Sequence, residues 1–336
     1  MHFSWLSDHS LLIHHNGLTK DFEALMTIPI LHHFWASPFA YKTRMAMALA
    51  DLPWVSVEIP RIPPKPLLMP LTAGYRRTPV LQLGADIYCD TQNIALLIDE
   101  LGTADRLFPN QSKERALIFS EWVDQTLFPL AVRIVITTAL DEAPKAFIQD
   151  RGDLYFGPNW SEDALRAELP GVIAQLNASL MRLEATIRAD EYALGGPVPT
   201  YADIAIAYLC WFLRGRWSQG AECLASYPQL SRIEAAMTSL TEAMGPDEVT
   251  TIDGTAALDQ AKRSEPTSPV GIPVDSPFEL GQRVSVRPFV DSSESPVTGH
   301  LRYLDHSRIS IDSEHPQVGW VAVHFPISGY QINALP

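Results

Sequence analysis

The spacing of apolar positions changes along the chain and divides it into zones. Residues 1–26 show no clear period and read as a leader with little order. Residues 28–35 then form a short apolar run of strand length, stopped by Ser37-Pro38. Serine is a preferred N-cap, and proline suits the first helical position because its missing N–H would have no partner there. A helix is therefore predicted over residues 39–50, where Ala and Met recur at helical period. Residues 52–59 are β-rich. The next stretch carries Pro60, Pro63, Pro64, Pro66 and Pro70 and excludes a regular helix. Residues 78–83 and 86–89 suggest a hairpin around Gly84-Ala85, and 91–101 a helix stopped by Gly102. The predicted order is β-α-β-loop-β-β-α.

From residue 111 the pattern is helical, over roughly 111–140, 161–189, 200–213 and 228–243. Thr200 and Asp203 form an S/T-x-x-D capping signal ahead of an apolar run. Residues 263–277 are proline-rich and read as a linker. Beyond it, residues 283–287, 297–304, 309–311 and 319–325 read as strands, spaced as in a small β-barrel or sandwich. The expected division is a leader (1–26), an α/β domain (27–104), an all-helical domain (105–262), the linker and a β-domain (278–336).

Charge narrows the choice of partner. The chain of 336 residues carries 25 Lys+Arg against 39 Asp+Glu, a net −14. That balance argues against nucleic acid or an anionic membrane, both of which favour a basic face. The acidity is uneven: residues 27–102 hold six basic and six acidic side chains, whereas 103–276 hold 14 and 24. Three cysteines without a C-x-x-C pair predict reduced thiols and a cytoplasmic setting. Ten histidines are present, none between Phe34 and Gly299, so a histidine triad or zinc cluster would need both ends of the chain. No metal is expected. No apolar run reaches the ~18 residues of a membrane span, and no basic segment precedes an apolar one at the N-terminus, so no secretory signal is expected.

Three segments carry chemistry in a familiar order. Trp35-Ala-Ser37-Pro38-Phe39-Ala40-Tyr-Lys-Thr-Arg44, Arg77-Thr78-Pro79-Val80-Leu81 and Cys89-Asp90-Thr91-Gln-Asn-Ile94 precede the Thr200–Asp203 box. Together, over some 220 residues, they resemble the cytosolic glutathione transferase family, Ser/Cys type with an omega-like N-terminal segment. The resemblance implies a thioredoxin-like domain and a helical bundle, here followed by a small all-β, barrel-like domain. It implies glutathione as co-substrate, Ser37 as the catalytic residue, a cis peptide before Pro79, and glutathione contacts from Phe39, Thr78, Pro79, Asp90 and Thr91. It further implies a homodimer.

The chemistry of these residue types agrees. A helix N-terminus with an adjacent hydroxyl favours a thiolate. Asp90 offers a carboxylate for an α-ammonium, and Thr91 a hydroxyl and free N–H groups for an α-carboxylate. Read without the resemblance, Ser37 and the Asp90-Thr91 pair are equally well ordinary helix caps. Serine in place of the omega-like cysteine argues against mixed-disulfide chemistry at this position, and Cys89 reads either as a core residue or as a sensitive thiol. Trp122, Phe128, Tyr208 and Trp211 are candidates for a pocket taking a small apolar electrophile, although such spacing also suits a helical core. Trp320, Phe325 and Tyr330 suggest either an aromatic peptide groove or an internal β-core. The leading expectation is a glutathione transferase. The alternatives are a non-catalytic adaptor of the same fold, and a glutathione-dependent isomerase or lyase using the same site.

Overall fold

The computed structural model describes residues 28–103, 105–290 and 294–336; the expected leader over 1–26 lies outside them. The first unit runs β1 (Ile30–His33), α1 (Pro38–Leu49), β2 (Val55–Glu58), β3 (Val80–Leu83), β4 (Asp86–Cys89) and α2 (Thr91–Leu101). β1 pairs parallel with β2 and antiparallel with β3, which pairs antiparallel with β4. This is the thioredoxin-like arrangement. Local chemistry sets its boundaries. Ser37 Oγ accepts from the Ala40 N–H at 3.2 Å and caps α1, with Pro38 at the first helical position. Gly102 ends α2 where a Cβ would lie 2.8 Å from the Ala50 side chain, so the close approach of the two helices demands glycine.

The helical part contains α3 (Lys113–Trp122), α4 (Phe128–Thr138), α5 (Lys145–Tyr155), α6 (Glu162–Thr186), α7 (Tyr201–Arg216), α8 (Gly220–Leu224), α9 (Pro228–Thr241) and α10 (Gly254–Lys262). The single helix expected over 111–140 is interrupted. A π turn, Val123–Leu127, separates α3 from α4, because Pro129 lacks an N–H and its ring would strike the carbonyl four residues back. α7 is the central helix, capped by the Thr200–Asp203 box and buried along most of its length. α10 follows it in sequence but not in packing: Ala257, Leu258 and Ala261 sit in the core of the sheet.

The C-terminal region holds β5 (Arg283–Pro288), β6 (Val297–Leu304), β7 (Arg308–His315), β8 (Gly319–Pro326) and β9 (Tyr330–Ala334). These strands pair antiparallel in the order β8-β7-β6-β5-β9. The β-domain does not stand apart, because β8 pairs parallel with β4. The described strands thus form one nine-stranded sheet, β2-β1-β3-β4-β8-β7-β6-β5-β9. A shared core joins Ile30, Val57 and Ile87 to Ile309, Val323 and Phe325. Phe325 and Tyr330 are internal and Trp320 is exposed, so the three expected aromatics form no common groove.

A buried polar seam fastens the two halves of this sheet. His324 Nε2 donates to Asp86 Oδ1 at 3.0 Å, and the Ser310 hydroxyl donates to His324 Nδ1 at 2.7 Å. The Thr267 N–H, from the expected linker, donates to Asp86 Oδ2 at 2.7 Å. Burial would raise the Asp86 pKa, but bonds from His324, Ser268 and Thr267 outweigh it and hold the carboxyl at about 2. Burial likewise keeps His324 neutral against the attraction of Asp86.

Two further histidines are buried in β1. Burial lowers His32 to about 4, and burial together with the Arg44 charge lowers His33 to about 3. Both titrate near the ordinary histidine value in the unfolded chain, which therefore binds more protons below about pH 6.5. Stability should fall as pH drops from about 6.5 towards 4, by about 1.4 kcal/mol per histidine per pH unit. Urea midpoints at pH 7.5, 6 and 5 check this, and equal midpoints would show that the rings are already charged in the fold.

Candidate functional site

A cavity of about 810 Å³ lies between the α/β unit and the helical domain. The three segments singled out in the sequence, two helix starts and one loop, all reach it. Ser37 and Phe39 come from the start of α1, Thr78 and Pro79 from the approach to β3, and Asp90 and Thr91 from the start of α2. They are spread over 55 positions of the chain, and the β1-β3-β4 pairing brings them together. The Thr78–Pro79 peptide is cis.

Each residue has defined partners. Ser37 is 3% exposed, and its oxygen accepts from the helix, which leaves its own proton to donate. Asp90 holds a positive φ of 72°, and its Oδ1 accepts from the Gln92 N–H at 2.9 Å. Thr91 is anchored through its carbonyl, which accepts from Tyr201 Oη at 3.0 Å. Thr78 Oγ1 accepts from Lys65 Nζ at 3.1 Å, and Lys65 donates as well to the Arg76 carbonyl at 2.9 Å.

Lys65 begins a basic end of the cavity that also includes Arg61, Arg76, Arg77 and Arg151. Arg76 and Arg151 share one carboxylate, Asp150, and Arg77 pairs with Glu294 of the β-domain. Burial, with repulsion from Arg151 and Arg76, lowers Lys65 to about 7. A buried amine at that value gains from an incoming anion.

An apolar wall is built by Phe128, Val132, Val135 and Ile136 of α4, Leu154 and Tyr155 of α5, and Phe212 of α7. Of the four aromatics expected here, only Phe128 belongs to it. Trp122 lies on the outer face against Phe119, away from the helix positions Leu117, Glu121, Asp124 and Phe128 that line the cavity. Tyr208 is fully buried, and its hydroxyl donates to Asp124 Oδ1 at 2.6 Å, beside the ion pair of Lys42 with Asp124. Trp211 stacks on Tyr41 at 4.3 Å, on another side of α7. Cys89 is completely buried, and burial, followed by the nearby Asp90 charge, pushes its thiol well above the usual range. It is a core residue, not a sensitive thiol.

Sequence reasoning passed over Lys65, Arg76, Arg151 and the α4 positions 132, 135 and 136. The last three follow i, i+3, i+4 spacing, a signal that was present. Lys65 sits in the proline-rich loop and Arg151 in α5, and neither position announces its neighbours. Among the described residues, no group of three His, Cys, Asp or Glu side chains is gathered as metal ligands. No described helix is long and apolar enough to cross a membrane.

A thioredoxin-like unit, a helical bundle and a cleft between them define a class of protein, and comparison with known proteins agrees. Residues 31–104 match the family described as glutathione S-transferase, N-terminal domain. Glutathione S-transferase U4 of Arabidopsis thaliana is 28% identical over 123 residues, which are 34% of this chain and 55% of that protein. The probable glutathione S-transferase parA of Nicotiana tabacum is 28% identical over 126 residues, covering 36% and 57%. The chain thus spans about half the length of the curated relatives it matches. Among solved structures, a GST-like protein from Pseudomonas syringae covers 92% of this chain and 100% of its own, at 26% identity and a TM-score of 0.68. Residues 31–104 thus resemble the N-terminal domain of glutathione S-transferases, and the fold over most of the chain is that of a GST-like protein, with a C-terminal β region.

The cap at Ser37 has a structural consequence separate from any chemistry. Ser37→Ala should lower the unfolding free energy by about 1 kcal/mol, and Ser37→Asn by only a few tenths. Urea denaturation of the two variants measures the difference.

Proposed function

We propose that the protein is an enzyme that binds glutathione in this cavity and activates its thiol for attack on an apolar electrophile. The observation that carries the reading is convergence: Ser37, Thr78-Pro79 and Asp90-Thr91 meet on one cavity that the helical domain lines with apolar side chains. In this reading the sulfur lies at the start of α1, where the Ser37 hydroxyl proton, the Phe39 N–H and the helix dipole stabilise the thiolate. The Thr78 backbone pairs with the ligand backbone. Asp90 accepts the γ-glutamyl α-ammonium and Thr91 binds its α-carboxylate. Phe39 packs beside the ligand, and Lys65 attracts the glycyl carboxylate at the basic end. The electrophile rests on Phe128 and the α4 face, and the thiolate attacks as the leaving group departs. The chemistry needs no metal. Isomerisation or ether cleavage would use the same thiolate, and product analysis separates them from simple transfer. A cytoplasmic homodimer belongs to the same proposal, with a solution mass of twice 37.3 kDa by light scattering.

Titration calorimetry with glutathione and turnover of an activated aryl halide test the reading. The wild type should bind saturably at millimolar glutathione or below. Ser37→Ala should lose about 10²-fold in turnover, the scale of one lost anion-stabilising donor. It should keep its affinity for S-methylglutathione within about threefold, because that ligand presents no thiolate. Absence of binding at millimolar glutathione would overturn the proposal, and unchanged turnover in Ser37→Ala would remove Ser37 from the chemistry.

Lys65 supplies an independent check. Its amine, at about 7, is mostly neutral at pH 7.5, and an arriving carboxylate raises it again. S-methylglutathione has a sulfur that cannot ionise, so its binding at pH 7.5 should take up roughly half a proton. Calorimetry in buffers of different ionisation enthalpy reads that uptake. It should vanish in Lys65→Met.

A further inference from the structure

The β-domain reaches the cavity at the end where Asp90 stands. Tyr330, the first residue of β9, is 9% exposed and lines the cavity with Asp90. Its hydroxyl lies 3.1 Å from Asp90 Oδ2 and 3.1 Å from the Tyr75 hydroxyl. One phenol has one proton. Tyr330 donates it to the carboxylate, and Tyr75 therefore donates to Tyr330. The result is a directed relay, Tyr75 to Tyr330 to Asp90, crossing from the α/β unit into the β-domain and back. Asp90 then receives two donors, the Gln92 N–H on Oδ1 and Tyr330 on Oδ2. Each oxygen keeps a lone pair for a further donor.

The turn before Tyr330 is braced on the helical side. Ser328 Oγ donates to Glu121 Oε1 on α3 at 2.8 Å. Gly329 takes a φ of 79° beside Gln125, a left-handed conformation that favours glycine. The turn therefore spans the cleft at the Asp90 end, and Pro288, paired with Tyr330 across β5 and β9, continues the wall. The Tyr330 hydroxyl is not needed to dock the domain. Its ring packs on Phe325 at 5.5 Å, and the β4–β8 pairing and shared core hold the domain without it.

We propose that the C-terminal β-domain completes the glutathione site, with Tyr330 as the positioning residue that fixes the Asp90 carboxylate against the γ-glutamyl α-ammonium. This deepens the glutathione reading and rests on it. The ammonium meets a carboxylate already fixed in direction, so less of the binding free energy is lost in ordering it.

The test compares two ligands, S-methylglutathione and its desamino counterpart, in which hydrogen replaces the γ-glutamyl α-ammonium. Tyr330→Phe should weaken S-methylglutathione by roughly five- to tenfold and the desamino ligand by less than about twofold. A merely structural tyrosine would move both ligands equally. Equal losses, or no loss with S-methylglutathione, would overturn the proposal. A wild type that binds neither ligand would overturn the glutathione reading and this role with it. If Tyr330→Phe does not fold by circular dichroism, Tyr75→Phe serves instead, removing the donor to Tyr330 from the far end of the relay. Its selective loss should be roughly two- to threefold, and no selective loss would again overturn the proposal.

Discussion

The parallel pairing of β4 with β8 is the contact on which the rest of the molecule depends. Without it β4 would be an open edge, a row of unpaired N–H and C=O groups that invites association. With it, the Asp86 carboxylate lies buried between the two halves of the sheet, stabilised by His324 and the 267–268 backbone. A buried carboxylate is tolerable only when its partners are all in place. Pairing, seam and shared core therefore form or fail together. The same contact sets the position of β9, and hence where Tyr330 meets Asp90.

Legibility followed the range of each signal. The β-α-β-β-α order, the cap at Ser37 and the stop at Gly102 are encoded within a few residues, and the sequence showed them. The convergence of Ser37, Thr78 and Asp90 was legible only through resemblance, because sheet register is a property of paired strands and not of any one segment. Nothing local announces that Asp86 will meet His324, 238 positions away. The β-domain was thus expected as a separate unit joined by a linker, whereas the sheet runs through it and Thr267 is tied to Asp86. Trp122 and Trp211 were misplaced for a different reason. Helical periodicity tells which residues share a face, but not which face the neighbouring elements turn towards the cavity. α10 had a cap signal in Asp253, whose carboxylate accepts from the Thr255 N–H at 2.7 Å, but it was merged into the bundle before it.

Charge also reads differently at the scale of the site. The chain carries −14 in total, yet the cavity gathers Arg61, Lys65, Arg76, Arg77 and Arg151 against the carboxylates of Asp150 and Glu294. Asp90 lines the same cavity. A ligand carrying both a carboxylate and an ammonium would find a partner for each, and the neutral average of residues 27–102 hides that polarity. The apolar lining comes mainly from α4 of the helical domain. The two substrates of the proposed reaction thus draw on separate structural units.

A fold of this kind serves enzymes and non-catalytic proteins alike, and what the extra domain does distinguishes them. An appended interaction module needs only a tether, and its loss should leave the older site intact. Here the β-domain supplies Tyr330 to Asp90, Glu294 to Arg77 and Ser328 to Glu121, three polar contacts arranged around the cavity and not around the linker. Arg77 is held charged by Glu294 despite its burial, and it precedes Thr78-Pro79 directly in the chain. The domain therefore touches two of the three segments that build the site. Detaching it would strip a donor from Asp90 and leave a guanidinium beside Thr78 without its carboxylate. Such dependence is costly for an adaptor, which gains nothing from a well-ordered cleft on its far side. It is expected of a domain retained because the cleft binds something.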